Sequence, residues 1–184
     1  MSALHVAATD IPGVLVLAPR VFADARGAFF ESWNEAAFAR ATGVDARFVQ
    51  DNHSVSMKSV LRGLHYQLAK PQGKLVRVVV GEVYDVAVDL RRSSKTFGRW
   101  TGVRLSAGNR LMQWVPVGCA HGFVVLSERA EVLYKTTEFY SPADERSIAW
   151  NDPDLAIDWP LEGRPLLSDR DARATRFAEA ELFP

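Results

Sequence analysis

Two short stretches carry the side chains best suited to moving protons. Leu61-Arg62-Gly63-Leu64-His65-Tyr66-Gln67 places an imidazole just after an arginine, and Lys74 follows a few residues on. Pro116-Val117-Gly118-Cys119-Ala120-His121-Gly122-Phe123 turns the chain sharply and then sends a second histidine into the next extended segment. Imidazole changes charge nearest to neutral pH, so each is a candidate acid or base. Two cations around His65 favour an anionic substrate, because guanidinium forks match phosphate oxygens. A solvated basic loop accounts for the same residues without any ligand. Gly63 and Gly73 would let backbone pass close to a bound molecule.

The two histidines also raise the question of a metal. Such a site needs three or four ligands, commonly a His-x-His pair with a carboxylate nearby. Here the partner of His65 is Gln67, and no acid follows before Glu82. No metal is therefore expected. Asp171 has two readings that spacing does not separate. Ser168-Asp169-Arg170-Asp171 has the pattern of a helix capping box, and a carboxylate there could equally orient His65 and favour its charged form. Tyr134 alternates with Val132 and Thr136 on a strand, as a core residue or as an acid. Glu31 and Glu145 read as surface charges, Gln50-Asp51-Asn52-His53 as a turn, and His5 as part of a frayed terminus.

The elements that must position these groups are mostly strands. Leu75–Val80 is a β-branched run that ends at Gly81. From Val83 to Leu90 the chain alternates, with Tyr84, Val86, Val88 and Leu90 on one side and Asp85 and Asp89 on the other. Gly81-Glu82 between the two runs reads as a tight hairpin turn. Further strands are expected at Trp100–Leu105, Leu111–Val115, Gly122–Leu126 and Val132–Thr137. Many short strands without βαβ alternation predict an all-β antiparallel sandwich or barrel. In such a fold the inward polar residues of alternate positions meet in one cavity. Helices are peripheral: Asn34 caps Glu35–Ala41, which stops near Gly43, and a second runs from Ser168 through Phe177 towards Leu182.

Composition bounds the partners. At 184 residues, 48% of them hydrophobic and 24% charged, one domain spanning 1–184 with a sizeable core is expected. Lys plus Arg equals Asp plus Glu at 22 each. That balance argues against a chain held to nucleic acid or an anionic membrane by bulk charge. Cys119 is the only cysteine, which excludes an internal disulfide and fits a cytoplasmic location. The uncharged run Leu111–Ser127 contains Pro116, Gly118 and Gly122, so it reads as two strands and a turn rather than a membrane span. Met1–Asp10 lacks the basic start and apolar stretch of a signal peptide.

Taken in order, these segments resemble the dTDP-4-dehydrorhamnose 3,5-epimerase family of cupin-like nucleotide-sugar enzymes. The matching stretches are Pro19–Gly27 with Phe30-Glu31, Gln50–Ser54, Val60–Gln67, Gln72–Arg77, Gly81–Leu90, Pro116–Phe123, Tyr134-Lys135, Tyr140-Ser141-Pro142, Trp150-Asn151-Asp152, Trp159-Pro160 and Ser168–Asp171. Each is weak alone; together they span roughly residues 10 to 180. The resemblance implies a jelly-roll homodimer without metal or organic cofactor. It further implies epimerisation of dTDP-4-dehydro-6-deoxy-D-glucose at C3 and C5 to dTDP-4-dehydro-L-rhamnose, for dTDP-L-rhamnose biosynthesis. By position, His65 matches the general base, Asp171 its carboxylate partner and Tyr134 the proton donor. Lys74 matches the group that holds charge on the C4 oxygen. Arg26, Glu31, Gln50, Asn52, Arg62, His121, Glu145 and Arg170 match substrate-binding positions, with Arg26 and Glu31 reaching into the partner subunit's site. Arg170 stands where the family often has Lys, so a fork replaces a point charge. The Leu68–Pro71 loop is a little shorter than in some members.

The chemistry fits those residue types. Hydrogens at C3 and C5 both flank the C4 ketone, so removing either gives an enolate. A base on one face and an acid on the other then invert the centre. Rivals are an epimerase acting at C3 or C5 only, a metal-dependent cupin oxygenase or isomerase, and a non-catalytic sugar-binding module.

Overall fold

Residues 4–184 are described by a computed structural model. The chain runs through β1 (Leu4–Ala8), β2 (Leu15–Pro19), β3 (Val21–Asp24), β4 (Gly27–Phe30), α1 (Glu35–Thr42), β5 (Gln50–Met57), β6 (Leu61–Gln67) and β7 (Lys74–Val80). It continues through β8 (Glu82–Asp89), β9 (Trp100–Ser106), β10 (Met112–Val115), β11 (Cys119–Val125), β12 (Arg129–Thr136), β13 (Glu145–Ser147) and α2 (Asp169–Ala172). One antiparallel sheet has the order β1-β2-β10-β7-β12-β5, a second the order β13-β6-β11-β8-β9, and β3 and β4 form a separate hairpin. This is the expected cupin-like jelly roll, with only short helices outside the strands.

The turn at Gly81 differs from the hairpin predicted. β7 belongs to the six-stranded sheet and β8 to the five-stranded one. Gly81 (φ 75°) therefore turns a corner between sheets, and a Cβ there would lie 2.0 Å from the Arg129 carbonyl oxygen. The chain also changes sheet at Pro116–Gly118 and between β11 and β12. Strands consecutive in sequence thus face one another across the sandwich. That is how the sheets come to share one interior.

Three apolar layers hold the sheets. Val76, Val78, Val83, Leu105, Phe123, Val125 and Val132 pack between them. The outer face of the six-stranded sheet is covered by α1 and an aromatic group in which Phe38 meets the edge of Trp114 at 5.4 Å between ring centroids. Asn34 caps α1 by accepting from the Ala37 N–H at 2.9 Å, and Gly43 (φ 71°) ends it, as predicted. The outer face of the five-stranded sheet takes Val86, Val88 and Leu90, which lie under the C-terminal segment through Leu155, Trp159, Phe177 and Phe183. The acidic side of β8 is consequently the interior one: Asp85 and Asp89 are fully buried.

Two further expectations are corrected. His5 lies in β1, paired with Ala18, rather than in a frayed end. The second helix is a single turn, Asp169–Ala172, followed only by a 3-10 turn at Phe177–Glu179. Its continuation is lost because tertiary partners take the backbone: Thr175 N–H donates to Ser147 O at 3.2 Å, Thr175 O accepts from Ala149, and Phe177 N–H donates to Asp152 Oδ2 at 2.9 Å. No helix among the described residues is long and apolar enough to cross a membrane.

Candidate active site

Strand alternation gathers the polar side chains at one end of the sandwich. On the six-stranded sheet, Tyr134 pairs in register with Asn52 on one side and Val76 on the other, and Thr136 pairs with Gln50 and Lys74. Gln50, Asn52, Lys74 and Tyr134 therefore share the inner face. On the five-stranded sheet, His65 and His121 are direct register partners. The two sets meet across a depression of 290 Å³ lined by Gln50, Asn52, His65, Lys74, Tyr134 and Glu145, among others. An adjoining hollow of 240 Å³ shares His65, Lys74 and Tyr134 and adds Ser54, Arg62, His121 and Asp171. The segment Gln50–His53 is thus a strand facing a polar hollow rather than a turn.

Glycine permits the close approach of the two histidine-bearing strands. A Cβ on Gly63 (φ 128°) would lie 2.5 Å from Gly122 Cα and 2.9 Å from the His121 carbonyl oxygen. No other residue fits there without moving β6 away from β11.

His65 Nε2 is 2.6 Å from Asp171 Oδ1. Asp171 makes the cap contact and the His65 contact at once. Ser168 caps α2 by accepting from the Asp171 N–H at 3.1 Å, and its hydroxyl donates to Asp171 Oδ2 at 2.9 Å. Burial pushes the Asp171 carboxyl up, but hydrogen bonds from His65, Ser168 and the Gly63 N–H outweigh it and hold the group below its ordinary range. An ionised Asp171 accepts from Nε2, which leaves Nδ1 of His65 with the lone pair a base needs.

Lys74 opens β7, is almost fully buried, and donates through Nζ to the His65 carbonyl oxygen at 3.4 Å. Burial lowers its ammonium to about 8, against the opposing pull of Glu145 and Asp85. Tyr134 is shifted the other way. Burial raises its phenol, with Glu145 and the hydroxyl of Tyr140 adding to the effect and Arg62 opposing it, so it stays protonated. At the mouth, Arg170 Nη1 donates to Glu145 Oε2 at 2.5 Å, and the Tyr140 hydroxyl donates to the same oxygen at 2.6 Å. Arg62 Nε donates to Ser56 Oγ at 3.0 Å, which aims its guanidinium along the wall.

Two candidates do not join this cavity in their own chain. Arg26 sits at the tip of the β3–β4 hairpin, exposed and paired with Asp24. Glu31 accepts from Asn34 Nδ2 at 3.0 Å beside α1. Sequence reading missed Asp85, whose Oδ1 lies 2.8 Å from His121 Nε2. It missed the Tyr140 hydroxyl as well. Ser54 Oγ also went unread; it is the one buried side-chain polar atom without a partner among the described residues, and Ser54 faces the hollow. The available signal for Asp85 was an acid in a strand whose other face is wholly apolar. Gln67, weighed above as a metal ligand, instead clamps a loop, donating to Lys70 O at 2.7 Å and accepting from the Ser141 N–H at 2.8 Å. Among the described residues no three His, Cys, Asp or Glu side chains gather as metal ligands.

Known proteins share this architecture. A family model described as dTDP-4-dehydrorhamnose 3,5-epimerase matches residues 8–179. A protein of that name from Pseudomonas aeruginosa is 62% identical over 174 residues, covering 95% of this chain and 96% of its own. The crystal structure of a dTDP-6-deoxy-D-glucose-3,5-epimerase from Legionella pneumophila in complex with dTDP-4-keto-L-rhamnose superposes with a TM-score of 0.94. It is 48% identical and covers 97% of this chain and 95% of that one. A 3'-monoepimerase from Streptomyces bikiniensis in complex with dTDP-quinovose is more distant, with a TM-score of 0.87 and 37% identity over 92% of this chain and 86% of its own.

Proposed function

Because the chain belongs to the dTDP-4-dehydrorhamnose 3,5-epimerase family, we propose that its own His65 and Tyr134 carry out that family's proton transfers from opposite walls of one cavity. The chain is an isomerase that epimerises dTDP-4-dehydro-6-deoxy-D-glucose at C3 and C5, giving dTDP-4-dehydro-L-rhamnose in dTDP-L-rhamnose biosynthesis. The observation that carries the residue assignment is geometric. His65, held by Asp171 at 2.6 Å, comes from one sheet, Tyr134 comes from the other, and both line the same hollow.

In this reading Nδ1 of His65 removes the proton at C5 or C3, next to the C4 ketone. The electron pair moves into the enolate, whose oxygen is held by the buried Lys74, while His121 contacts the substrate through Nδ1. Tyr134 then returns a proton to the opposite face, which inverts the carbon. Two such steps account for both centres. His65, Tyr134 and Lys74 between them supply the base, the acid and the charge that holds the enolate, so the scheme calls on neither a metal nor an organic cofactor. Arg62, Gln50, Asn52, Glu145 and Arg170 hold the nucleotide and sugar, and that remote binding energy keeps the ring against the base.

A homodimer completes the proposal. The exposed β3–β4 hairpin carries Arg26 with Phe22 and Phe29, the latter 74% exposed, and none of the three lines the hollow of His65 and Tyr134 in its own chain. A second copy would receive it, with Arg26 and Glu31 closing the partner's site. Cytoplasmic residence rests on the lone buried thiol of Cys119.

The experiment is hydrogen exchange. Incubated with the 4-keto sugar nucleotide in D2O, the protein should carry deuterium into both C3 and C5, read by NMR. Exchange at one carbon only would make it a monoepimerase. In His65→Ala exchange should vanish while nucleotide binding persists; an unchanged rate would remove His65 as the base.

A further inference from the structure

Met112 and Trp114 point outward into the aromatic layer on the six-stranded sheet, so Gln113 between them points into the sandwich. It is fully buried. An amide there is costly unless its ends are bonded. Its partner comes from the opposite sheet: the amide end nearest β8 faces only acceptors, which assigns it as the nitrogen, and Nε2 so placed donates to Asp85 Oδ2 at 2.8 Å and to the Asp85 carbonyl oxygen at 3.2 Å. Asp85 Oδ1 faces His121 Nε2 at 2.8 Å. One carboxylate is thus held at each oxygen, by Gln113 from β10 and by His121 from β11.

We infer that Gln113 is a positioning residue for the reaction: reaching across the sandwich, it fixes Asp85 so that His121 keeps its proton on Nε2 and offers Nδ1 to the substrate. The inference rests on the reading of His121 as a substrate contact. The groups that face Asp85 are His121, Gln113 and, through its charge, Lys74. Without a donor at Oδ2, the buried carboxylate gains by taking up a proton or by rotating to share the His121 hydrogen. A protonated Asp85 would donate to Nε2 and move the imidazole hydrogen to Nδ1. The nitrogen facing the substrate would then exchange its role from acceptor to donor.

The test compares Gln113→Leu, Gln113→Glu and His121→Asn. In Gln113→Leu, which keeps the volume and removes the donor, kcat should fall about tenfold with KM for the sugar nucleotide within about twofold. Nitrogen-15 spectra should show His121 no longer solely in its Nε2–H form. Gln113→Glu should retain exchange activity at acid pH, where its carboxyl proton replaces the amide's. That activity should be lost as the pH rises and two carboxylates face each other. Wild-type kcat and an unaltered His121 tautomer in Gln113→Leu would overturn the inference. Should that variant not fold, a wild-type pH profile in Gln113→Glu overturns it instead. His121→Asn separates the two levels: wild-type turnover there removes His121 as a contact, whereas an impaired His121→Asn beside an unimpaired Gln113→Leu removes Gln113 alone.

Discussion

His65 and His121 are register partners on adjacent antiparallel strands, and each ring gives its Nε2 to a separate buried carboxylate, Asp171 at 2.6 Å and Asp85 at 2.8 Å. The two carboxylates arrive from different places, one from a capped turn late in the chain and one from the neighbouring strand β8. Both anchors leave Nδ1 as the nitrogen that serves the cavity. The side-by-side placement depends on Gly63 and Gly122, whose backbones touch where side chains would collide.

Removing the acid should separate exchange from inversion. In Tyr134→Phe the base still abstracts a proton, and its conjugate acid returns one to the face it left. Deuterium should therefore still enter from D2O, while net epimerisation falls about 10²–10⁴-fold. Product stereochemistry by NMR checks this; full inversion in the variant would place the donor elsewhere.

Lys74 gives opposite pH signs for activity and stability. Its folded ammonium titrates at about 8, below the ordinary 10.5, because burial disfavours the charge. Epimerisation that needs the cation should decline as pH rises through 8. Over 8 to 10.5 the unfolded chain binds more protons at this site than the folded one, so Lys74's contribution to stability should improve with rising pH. Lys74→Met should abolish both trends and lower kcat by about 10²–10³-fold. An alkaline limb unchanged in Lys74→Met would show that another group sets it.

Mixing variants tests the partner contribution. Arg26→Ala and His65→Ala should each be nearly inactive as pure dimers. If Arg26 serves the other subunit, a co-refolded equimolar mixture should regain about a quarter of wild-type activity. Random pairing makes half the dimers mixed, and one of their two sites is intact. No recovery would assign Arg26 to its own chain or to no site.

Much of the framework was legible from local pattern. The β-branched run after Lys74, the alternation from Val83 to Leu90 and the Asn34–Gly43 caps each follow from short-range chemistry. What pattern did not reveal was which side of a strand faces in. β8 is covered on both faces, so the apolar side went outward under the C-terminal segment while Asp85 turned inward to His121. Gly81 gave a turn signal that a hairpin and a corner between sheets share. Gln50–His53 read as a turn because strands facing a polar cavity lose the alternation that marks them. His65 and Asp171, 106 positions apart, gave no local sign of meeting; only the resemblance of ordered motifs paired them.

The C-terminal segment that roofs the five-stranded sheet also delivers Asp171, and this has a consequence for synthesis. A ribosome releases the imidazole of His65 long before the carboxylate that orients it. Both sheets can pair by then, yet the outer apolar face of one is bare and its base is unaligned. Competence for proton transfer and burial of that face should therefore arrive together, once the segment from Leu155 to Phe183 has emerged.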